Sequence, residues 1–232
     1  MRALALGAII LLLLILLATL WRHESDHITY WLQCNFSNGV NQSGVPTPAS
    51  IRARVCALID GLPAADHSVG GYTFIDFGCG GGSMIEAVRG LVGLDLVLGV
   101  ELDPALAARA RARFADSPFV RILTQNMTDF VFPSTSVILY MYEPLWCVHP
   151  ADALPIYRRV LDGFDRARRQ PTAPATAAAG AAASYIIYVS GVRPMLGAEF
   201  FAPYGAKPVH MSRARRGLGW PGNRIWLFSL VA

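Results

Sequence analysis

The chain alternates between two kinds of apolar pattern over most of its length. Continuous apolar runs of strand length predict β-strands at residues 72–77, 97–100, 120–124, 137–142 and 185–190, with two more at 207–211 and 224–230. Amphipathic segments between them predict helices over about 50–62, 84–92, 104–114 and 154–169. Ser50 is expected to cap the first helix. This alternation predicts βαβ units, and hence an α/β fold in which helices cover both faces of a parallel sheet.

One apolar run does not fit this alternation. Residues 3–21 carry no charged side chain and are nearly all Leu, Ile and Ala. At about 1.5 Å per residue, a helix of this length nearly spans the roughly 30 Å hydrocarbon core of a bilayer, and Trp21 suits the headgroup region. We predict a membrane anchor at residues 1–22, a polar linker at 23–45 and a folded domain at 46–232. A cleaved signal or transit peptide and a buried core helix are the alternatives.

The expected location is a single-pass membrane protein of an organelle or endomembrane. Positive charge lies mainly before the anchor, which weakly favours a domain outside the cytosol. Sequons at Asn35 and Asn41 would suit that side, although short tripeptides also arise by chance. Access to a cytosolic or organellar cofactor would favour the opposite arrangement, so the side of the membrane stays open.

Composition and charge exclude several classes of protein. Of 232 residues, 53% are hydrophobic and 16% are charged, which excludes a disordered chain. Four cysteines are too sparse for a disulfide-stabilised miniprotein. The net charge of +4 comes largely from arginines, several of them in the segment 154–169. Asp162 and Asp165 interrupt that group, so we predict a solvated helix face rather than a nucleic-acid surface.

One metal motif occurs, in an unfavourable place. His23 and His27 form a literal H-E-x-x-H sequence that adjoins the apolar run, and no third ligand follows at a short spacing. The cysteines show no C-x-x-C spacing. We therefore interpret residues 23–27 as a polar stretch and predict no metal site.

The strongest chemical signal is the glycine cluster after the first predicted domain strand. Glycines at 78, 80 and 82 follow Asp76 with a G-x-G-x-G spacing, whereas a dinucleotide loop requires G-x-G-x-x-G/A. A carboxylate at Asp76 would repel a pyrophosphate and attract a ligand that bears an ammonium and a sulfonium. A purely structural glycine turn is the alternative.

Polar residues also follow the next two predicted strands. Glu101 stands where an acidic residue usually accepts hydrogen bonds from ribose hydroxyls. Asp103 precedes Pro104 and better suits a helix cap. After the third strand, Asn126 is placed to hydrogen-bond an adenine edge and Met127 to pack against its face.

With these motifs in place, the sequence resembles the class I S-adenosylmethionine-dependent methyltransferases. The resemblance is carried by residues 76–82, residues 99–104 and the late pair of strands. It implies a Rossmann-like, doubly wound, mostly parallel sheet with a C-terminal antiparallel hairpin, and S-adenosylmethionine as the cofactor. It implies that the methionine part is lined by Asp76, Gly78, Gly80 and Gly82, with Glu101 at the ribose and Asn126 and Met127 at the adenine.

The end of the fourth strand is expected to carry the substrate chemistry. By the resemblance, Tyr142 and Glu143 face the transferred methyl group, with Glu143 orienting or deprotonating an amine and Trp146 lining the pocket. The alternative is that Glu143 caps a helix and the aromatic residues belong to the core. The expected reaction is methyl transfer to a protein lysine or another amine, since the layout is also similar to a small group of organellar lysine methyltransferases. A nicotinamide-dependent oxidoreductase and a non-catalytic membrane-anchored scaffold are the other hypotheses.

Overall fold

Seven strands form a single sheet in the computed structural model, which describes residues 46–63, 71–145, 148, 150–170, 183–190, 196–213 and 224–230. The strands are β1 (Tyr72–Phe77), β2 (Leu94–Glu101), β3 (Val120–Thr124), β4 (Val137–Tyr142), β5 (Ser184–Ser190), β6 (Lys207–Arg213) and β7 (Arg224–Leu230). Their order in the sheet is β3-β2-β1-β4-β5-β7-β6. The first five strands pair in parallel, and β7 pairs antiparallel with both β5 and β6. The predicted doubly wound sheet with a C-terminal antiparallel hairpin is confirmed.

Helices cover both faces of the sheet and define two core clusters. The helices are α1 (Ala49–Asp60), α2 (Ser83–Val88), α3 (Pro104–Arg113), α4 (Pro150–Arg169) and α5 (Ala198–Phe201), with 3-10 turns at Met127–Asp129 and Ala202–Tyr204. The first cluster lies between the sheet and α1 to α3, and the second between the sheet and α4 and α5. Because both faces are covered, β1 is buried along its whole length, whereas the edge strand β3 alternates between buried and exposed positions.

Several element boundaries differ from the sequence prediction. The capping role predicted for Ser50 is wrong, because α1 begins at Ala49 and Pro48 occupies the cap position. Helix α2 ends at Val88 rather than near residue 92, since the chain turns before β2 and Gly93 adopts a φ of 87°. Helix α4 starts four residues earlier than predicted. Its Pro155 lies in the second turn, where a proline removes one intrahelical hydrogen bond.

The predicted anchor, linker, sequons at Asn35 and Asn41 and H-E-x-x-H motif all lie outside the described residues. Among the ranges that are described, no helix is both long and apolar enough to cross a bilayer. The membrane anchor therefore stays a prediction of the sequence.

Helix α2 begins against the end of α3 at a glycine that the packing requires. Gly82 adopts a left-handed φ of 81°, and a Cβ added there would lie 2.4 Å from Phe114 Cε2. The adjacent Gly81 lacks this constraint, because a Cβ at that position would meet no atom of the described structure within 4 Å. Two neighbouring glycines thus differ in whether a side chain can be accommodated.

We expect Gly82→Ala to lower the free energy of unfolding by about 1–3 kcal/mol, through backbone strain and the clash with Phe114. The matched variant Gly81→Ala should change it by less than about 0.5 kcal/mol. Urea unfolding of the full chain, followed by circular dichroism, measures both. Equal effects of the two substitutions would contradict this account of the packing.

Candidate functional site

The candidate site lies where the strand order reverses, between β1 and β4. In open α/β sheets, ligands bind at this switch point, outside the carboxyl ends of the strands. The loops that leave the two strands are in contact here, because a Cβ added to Gly78 would lie 3.0 Å from Pro144 Cβ. The glycine loop after β1 and the acidic turn after β4 therefore adjoin one another.

The glycine loop turns left-handed at alternate residues. Gly78, Gly80 and Gly82 have φ values of 76°, 54° and 81°, a region that glycine enters without a steric cost. The Gly78 N–H donates to the Val100 carbonyl of β2 at 2.9 Å, which holds the loop close to the neighbouring strand. All three glycines selected from the sequence are therefore required by the conformation of the loop.

Glu101 holds this loop from the end of β2. The residue is 9% exposed, and its Oε2 accepts a hydrogen bond from the Gly80 N–H at 2.8 Å. Its Oε1 accepts from the Asp103 N–H at 2.9 Å. A carboxylate oxygen can accept more than one hydrogen bond, so both oxygens keep capacity for ligand hydroxyls. The structure thus adds a role that sequence reasoning missed, because Glu101 fixes the loop as well as facing the site.

Asp76 lies beneath the loop and is almost fully buried, at 3% exposure. Burial, and then the nearby Glu101 carboxylate, raise the pKa of Asp76 to about 8. Neither carboxylate forms an ion pair with a residue in the described ranges. A cationic ligand would offset both the burial cost and the mutual repulsion, whereas a diphosphate would increase the repulsion. The pair therefore fits the ammonium and sulfonium groups of S-adenosylmethionine.

Asp103, the competing acidic residue, is used as a helix cap. Its Oδ1 accepts hydrogen bonds from the N–H groups of Ala105 at 2.8 Å and Leu106 at 3.1 Å, and Pro104 takes the first helical position. The expectation that Asp103 caps α3 is confirmed. Glu101 is consequently the acidic side chain of this segment that faces the glycine loop.

The end of β3 lies beside Glu101. The Gln125 N–H donates to the Glu101 carbonyl at 3.0 Å, which brings the following residues to the same edge of the sheet. Asn126 is exposed, and its Oδ1 accepts from the Thr128 N–H at 3.0 Å, so the side chain caps the 3-10 turn. Met127 is partly buried against the second core cluster. Asn126 thus already uses one acceptor position within the chain, and its amide group keeps further donors and one lone pair for a base.

The structure separates the two candidate catalytic residues onto opposite faces of the sheet. Tyr142 packs against the first core cluster, on the same face as Tyr140, which pairs in register with Asp76. Glu143 instead contacts Tyr188, a member of the second cluster. Trp146, the third predicted pocket residue, lies outside the described residues.

Glu143 is held in an unusual backbone conformation. Its φ of 35° makes it the one non-glycine residue in the described ranges with a positive φ, and the residue is 5% exposed. The Tyr188 hydroxyl donates to Glu143 Oε1 at 3.3 Å, and burial and the Glu143 charge raise the pKa of Tyr188, so that this donor stays protonated. The Tyr157 hydroxyl accepts from the Leu145 N–H at 3.4 Å, which holds the next turn of chain. Strained backbone of this kind persists where the surrounding structure enforces it, and such residues cluster at functional sites.

Three neighbouring side chains were not predicted from the sequence. Leu102, directly after Glu101, is 68% exposed and offers an apolar surface next to the acidic residue. Tyr157 and Tyr188 lie on α4 and β5, distant in sequence from the turn that they support. Of the three, only Leu102 could have been noticed in the sequence, because it is an apolar residue between two acidic ones.

The cysteine in the glycine loop has no sign of nucleophilic chemistry. Cys79 is buried, and burial together with the Asp76 and Glu101 charges raises the pKa of its thiol, which disfavours the thiolate. Within the described ranges, no group of three or more His, Cys, Asp or Glu residues is arranged to hold a metal ion.

The arginines of α4 make local ionic contacts. Arg159 lies 3.5 Å from Asp129, and Arg168 and Arg169 lie 2.6 Å and 2.7 Å from Asp165. Arg159 and Arg169 are exposed, as the expected solvated face requires, whereas the Arg168 side chain is buried and also donates to the Tyr204 carbonyl at 3.3 Å. The three ion pairs reduce the positive charge that this face presents to a polyanion.

Part of the domain is similar to a known protein family. Residues 74–163 match a protein family described as "Methyltransferase domain". This range contains the glycine loop, Glu101, the end of β3, the Glu143 turn and most of α4. A comparison with curated protein sequences gives no significant match.

Solved methyltransferase structures share the fold. Magnesium protoporphyrin IX methyltransferase from Synechocystis PCC 6803, solved with bound S-adenosylmethionine, is 12% identical with a TM-score of 0.54, over 91% of this chain and 95% of that one. The N-methyltransferase NodS from Bradyrhizobium japonicum WM9 is 13% identical with a TM-score of 0.54, over 78% and 97%. The 23S rRNA methyltransferase ErmE is 14% identical with a TM-score of 0.50, over 82% and 70%.

At these identities the structural likeness establishes a common fold and leaves the methyl acceptor undetermined, since the three proteins are named for a porphyrin, an N-methylation and an RNA. The family match covers the segment that carries the site. The family match and the shared fold support a methyltransferase enzyme that uses S-adenosylmethionine as its cofactor.

Proposed function

We propose that the protein is a membrane-anchored enzyme that methylates an amine, with a protein lysine as the first candidate. The choice of an amine as the methyl acceptor rests on Glu143. This residue is a buried carboxylate with a strained backbone at the end of a central strand. Pro144 places this turn against Gly78 of the glycine loop. An amine must lose its proton before it can attack a methyl group, and a positioned carboxylate can orient the amine and take the proton.

Asp76, Gly78, Gly80, Gly82 and Glu101 are the residues that would hold the cofactor, with Asn126 and Met127 at its adenine end. When bound, S-adenosylmethionine supplies an electrophilic methyl group on a positively charged sulfur. Asp76 balances positive charge from beneath the loop, and Glu101 orients hydroxyl groups from the end of β2. Glu143 acts on the acceptor from the end of β4, whereas Tyr142 lies on the other face of the sheet, the face that carries Tyr140 and Asp76. The contribution of the chain is positioning and charge complementarity rather than a covalent intermediate.

Support for an amine as the methyl acceptor comes from the site and from one structural neighbour. The structural neighbour NodS is named as an N-methyltransferase, whereas other neighbours are named for RNA or a porphyrin. Three arginines of α4 form ion pairs with aspartates, which lowers the positive charge that this helix offers to a polyanion. The buried Glu143 carboxylate and the N-methyltransferase neighbour are therefore the observations that favour an amine acceptor.

Asp76→Asn is expected to weaken S-adenosylmethionine binding by about tenfold or more, because the variant loses a charged partner for the ammonium. At pH 7 the wild-type protein should release most of a proton on binding, since the pKa of Asp76 is about 8 in the free protein and a bound cation lowers it. The variant should release none at this position. Titration calorimetry in two buffers of different ionisation enthalpy measures both quantities.

The thermal stability of the ligand-free variant shows whether Asp76→Asn merely damages the fold. The pKa of Asp76 rises from 3.8 to about 8 on folding, so the wild-type domain loses stability as the pH rises from about 4 to about 8. The variant does not lose stability in this way, because its amide does not ionise. Its Tm should equal that of the wild type near pH 4 and exceed it by several degrees at pH 8. A variant less stable than the wild type at pH 8 would contradict the proposed environment of Asp76.

Tritiated methyl transfer into a lysate, fractionated into protein, nucleic acid and lipid, tests the acceptor class. We expect label in protein, and we expect Glu143→Gln to lower kcat by about 100-fold or more with unchanged cofactor affinity, because the amide cannot accept a proton. Tyr188→Phe, which removes one hydrogen bond and keeps the carboxylate, is the matched variant and should lose far less. Label in nucleic acid alone would overturn the proposed amine acceptor. Full activity of Glu143→Gln would show that Glu143 does not take the proton from the acceptor.

The proposed membrane anchor at residues 1–22 can be tested separately. The full chain should stay in the membrane pellet after carbonate extraction, whereas a chain that lacks residues 1–22 should appear in the supernatant. A mobility change of the full chain on glycosidase treatment, lost in Asn35→Gln and Asn41→Gln, would place the domain on the lumenal side. Release of the full chain by carbonate would contradict a spanning anchor.

A further inference from the structure

The C-terminal segment that contains β6 and β7 carries the positive charge of the chain. Residues 200–232 hold five Lys or Arg residues and no Asp or Glu, whereas residues 1–199 hold 15 basic and 16 acidic residues. In the described ranges, no acidic side chain forms an ion pair with Lys207 or Arg224. The arginines of α4 differ, because three of them are paired with aspartates. The net charge of the protein is therefore concentrated at one side of the sequence and is not neutralised there.

Strand β6 lies at one edge of the sheet and exposes apolar side chains there. In the described sheet it pairs with β7 only. All residues from 207 to 211 are exposed, and Val209 and Met211 expose 59% and 49% of their surface. Lys207 and His210 belong to the same stretch. Residues 207–211, which we call the exposed edge, thus combine apolar and basic side chains.

The exposed edge is poorly suited to binding a further β-strand. Pro208 has no N–H to donate, and the register with β7 shifts between Pro208 and His210. Proline, lysine and bulges are features by which natural edge strands avoid pairing with another chain. A second copy of this chain or an extended peptide is therefore disfavoured as the partner of this edge.

Aromatic packing supports the exposed edge from the neighbouring strand. Trp226 of β7 pairs in register with Met211 and stacks on Phe228, with 5.9 Å between the ring centroids. Phe228 in turn contacts Phe201 of α5, with 4.5 Å between the ring centroids. A side chain that is already held in place loses less conformational entropy on binding. The edge is thus presented to a partner on a packed support.

The far end of β6 lies at the same end of the sheet as the candidate site. The register places Arg224 opposite Ser190, the last residue of β5, and Arg213 opposite Arg224. Because β4 and β5 are parallel, this row lies at the same end of the sheet as the Glu143 turn. Like charges at directly opposite positions destabilise a pair of strands. A bound anionic surface would offset this repulsion.

We infer that the exposed edge and the basic end of β6 dock the domain on an anionic lipid surface. Binding at a bilayer interface combines burial of apolar side chains with attraction of basic residues to anionic headgroups, and this strand offers both. A nucleic acid would use the charge through its phosphates, and its affinity would not depend on Val209 and Met211. The inference goes beyond the proposed anchor, because it assigns lipid contact to described residues of the domain itself.

The single lysine of the chain reports on this contact. Lys207 lies in the exposed edge, so mass spectrometry of its acylation by an uncharged succinimidyl ester follows access to that edge. The full chain is studied in lipid nanodiscs of phosphatidylcholine, or of phosphatidylcholine and phosphatidylglycerol in equal parts. Acylation of Lys207 should be slower in the anionic discs by about fivefold or more, since even one basic residue gains about that factor at an anionic surface. At about 1 M salt, which screens charges beyond roughly 3 Å, most of this difference should disappear.

The double variant Val209→Ser and Met211→Ser separates docking from a purely ionic effect. We expect its acylation in anionic discs to come within about twofold of the rate in neutral discs, because the apolar burial is lost. Val131→Ser is the matched control, since Val131 is 86% exposed but lies between the Met127–Asp129 turn and β4. It should keep the protection of the wild type. All three positions are exposed, so circular dichroism should show a Tm close to the wild type in both variants.

Equal acylation of Lys207 in neutral and anionic discs would overturn the inference, and so would full protection in the double variant. Protection by a single-stranded oligonucleotide in place of anionic lipid would overturn it in favour of a nucleic acid. A chain that carbonate releases can be mixed with preformed discs for the same measurement. Failure of the proposed anchor and failure of docking are therefore distinguishable.

Discussion

Two carboxylates buried at adjacent strand ends are the constraint around which the site is built. Asp76 and Glu101 come from neighbouring parallel strands, and the fold holds them close enough that one raises the pKa of the other. Such a pair costs stability in a ligand-free protein, because burial and repulsion both oppose ionisation. A ligand with positive charge removes both costs. The domain is therefore arranged to gain free energy from a cationic cofactor.

Glu101 also holds the surrounding backbone in place through hydrogen bonds. Its two oxygens accept N–H groups from Gly80 in the loop and from Asp103 at the start of α3. The loop conformation depends in turn on glycines that can adopt positive φ, so local backbone freedom and a long-range carboxylate contact determine the same structure. The acceptor side is organised in a similar way, where Tyr188 and Tyr157 hold the turn around Glu143. Both halves of the site thus rely on side chains from one element that fix the backbone of another.

The acidic residues at the strand ends have different roles that follow from their positions. Asp76 and Glu101 face the glycine loop, Asp103 caps a helix, and Glu143 lies towards α4 on the other face. Tyr142 and Glu143 are neighbours in the chain and belong to different faces of the sheet. Strand alternation predicts opposite sides for adjacent residues, and the positive φ at Glu143 sets where its side chain leaves the strand.

The amino-acid sequence by itself determined the α/β fold, the glycine loop, the acidic residue after β2 and the cap at Asp103, because each depends on local periodicity or on backbone requirements of neighbouring residues. Tertiary structure alone decided that Glu101 fixes the loop, that Tyr188 contacts Glu143, and that the Thr47 N–H bonds Ser83. These contacts join residues far apart in the chain, and no local pattern encodes a pairing of that kind. Helix ends such as α2 and α4 also depended on packing, because tertiary contacts outweigh the weak preferences of single residues at a boundary.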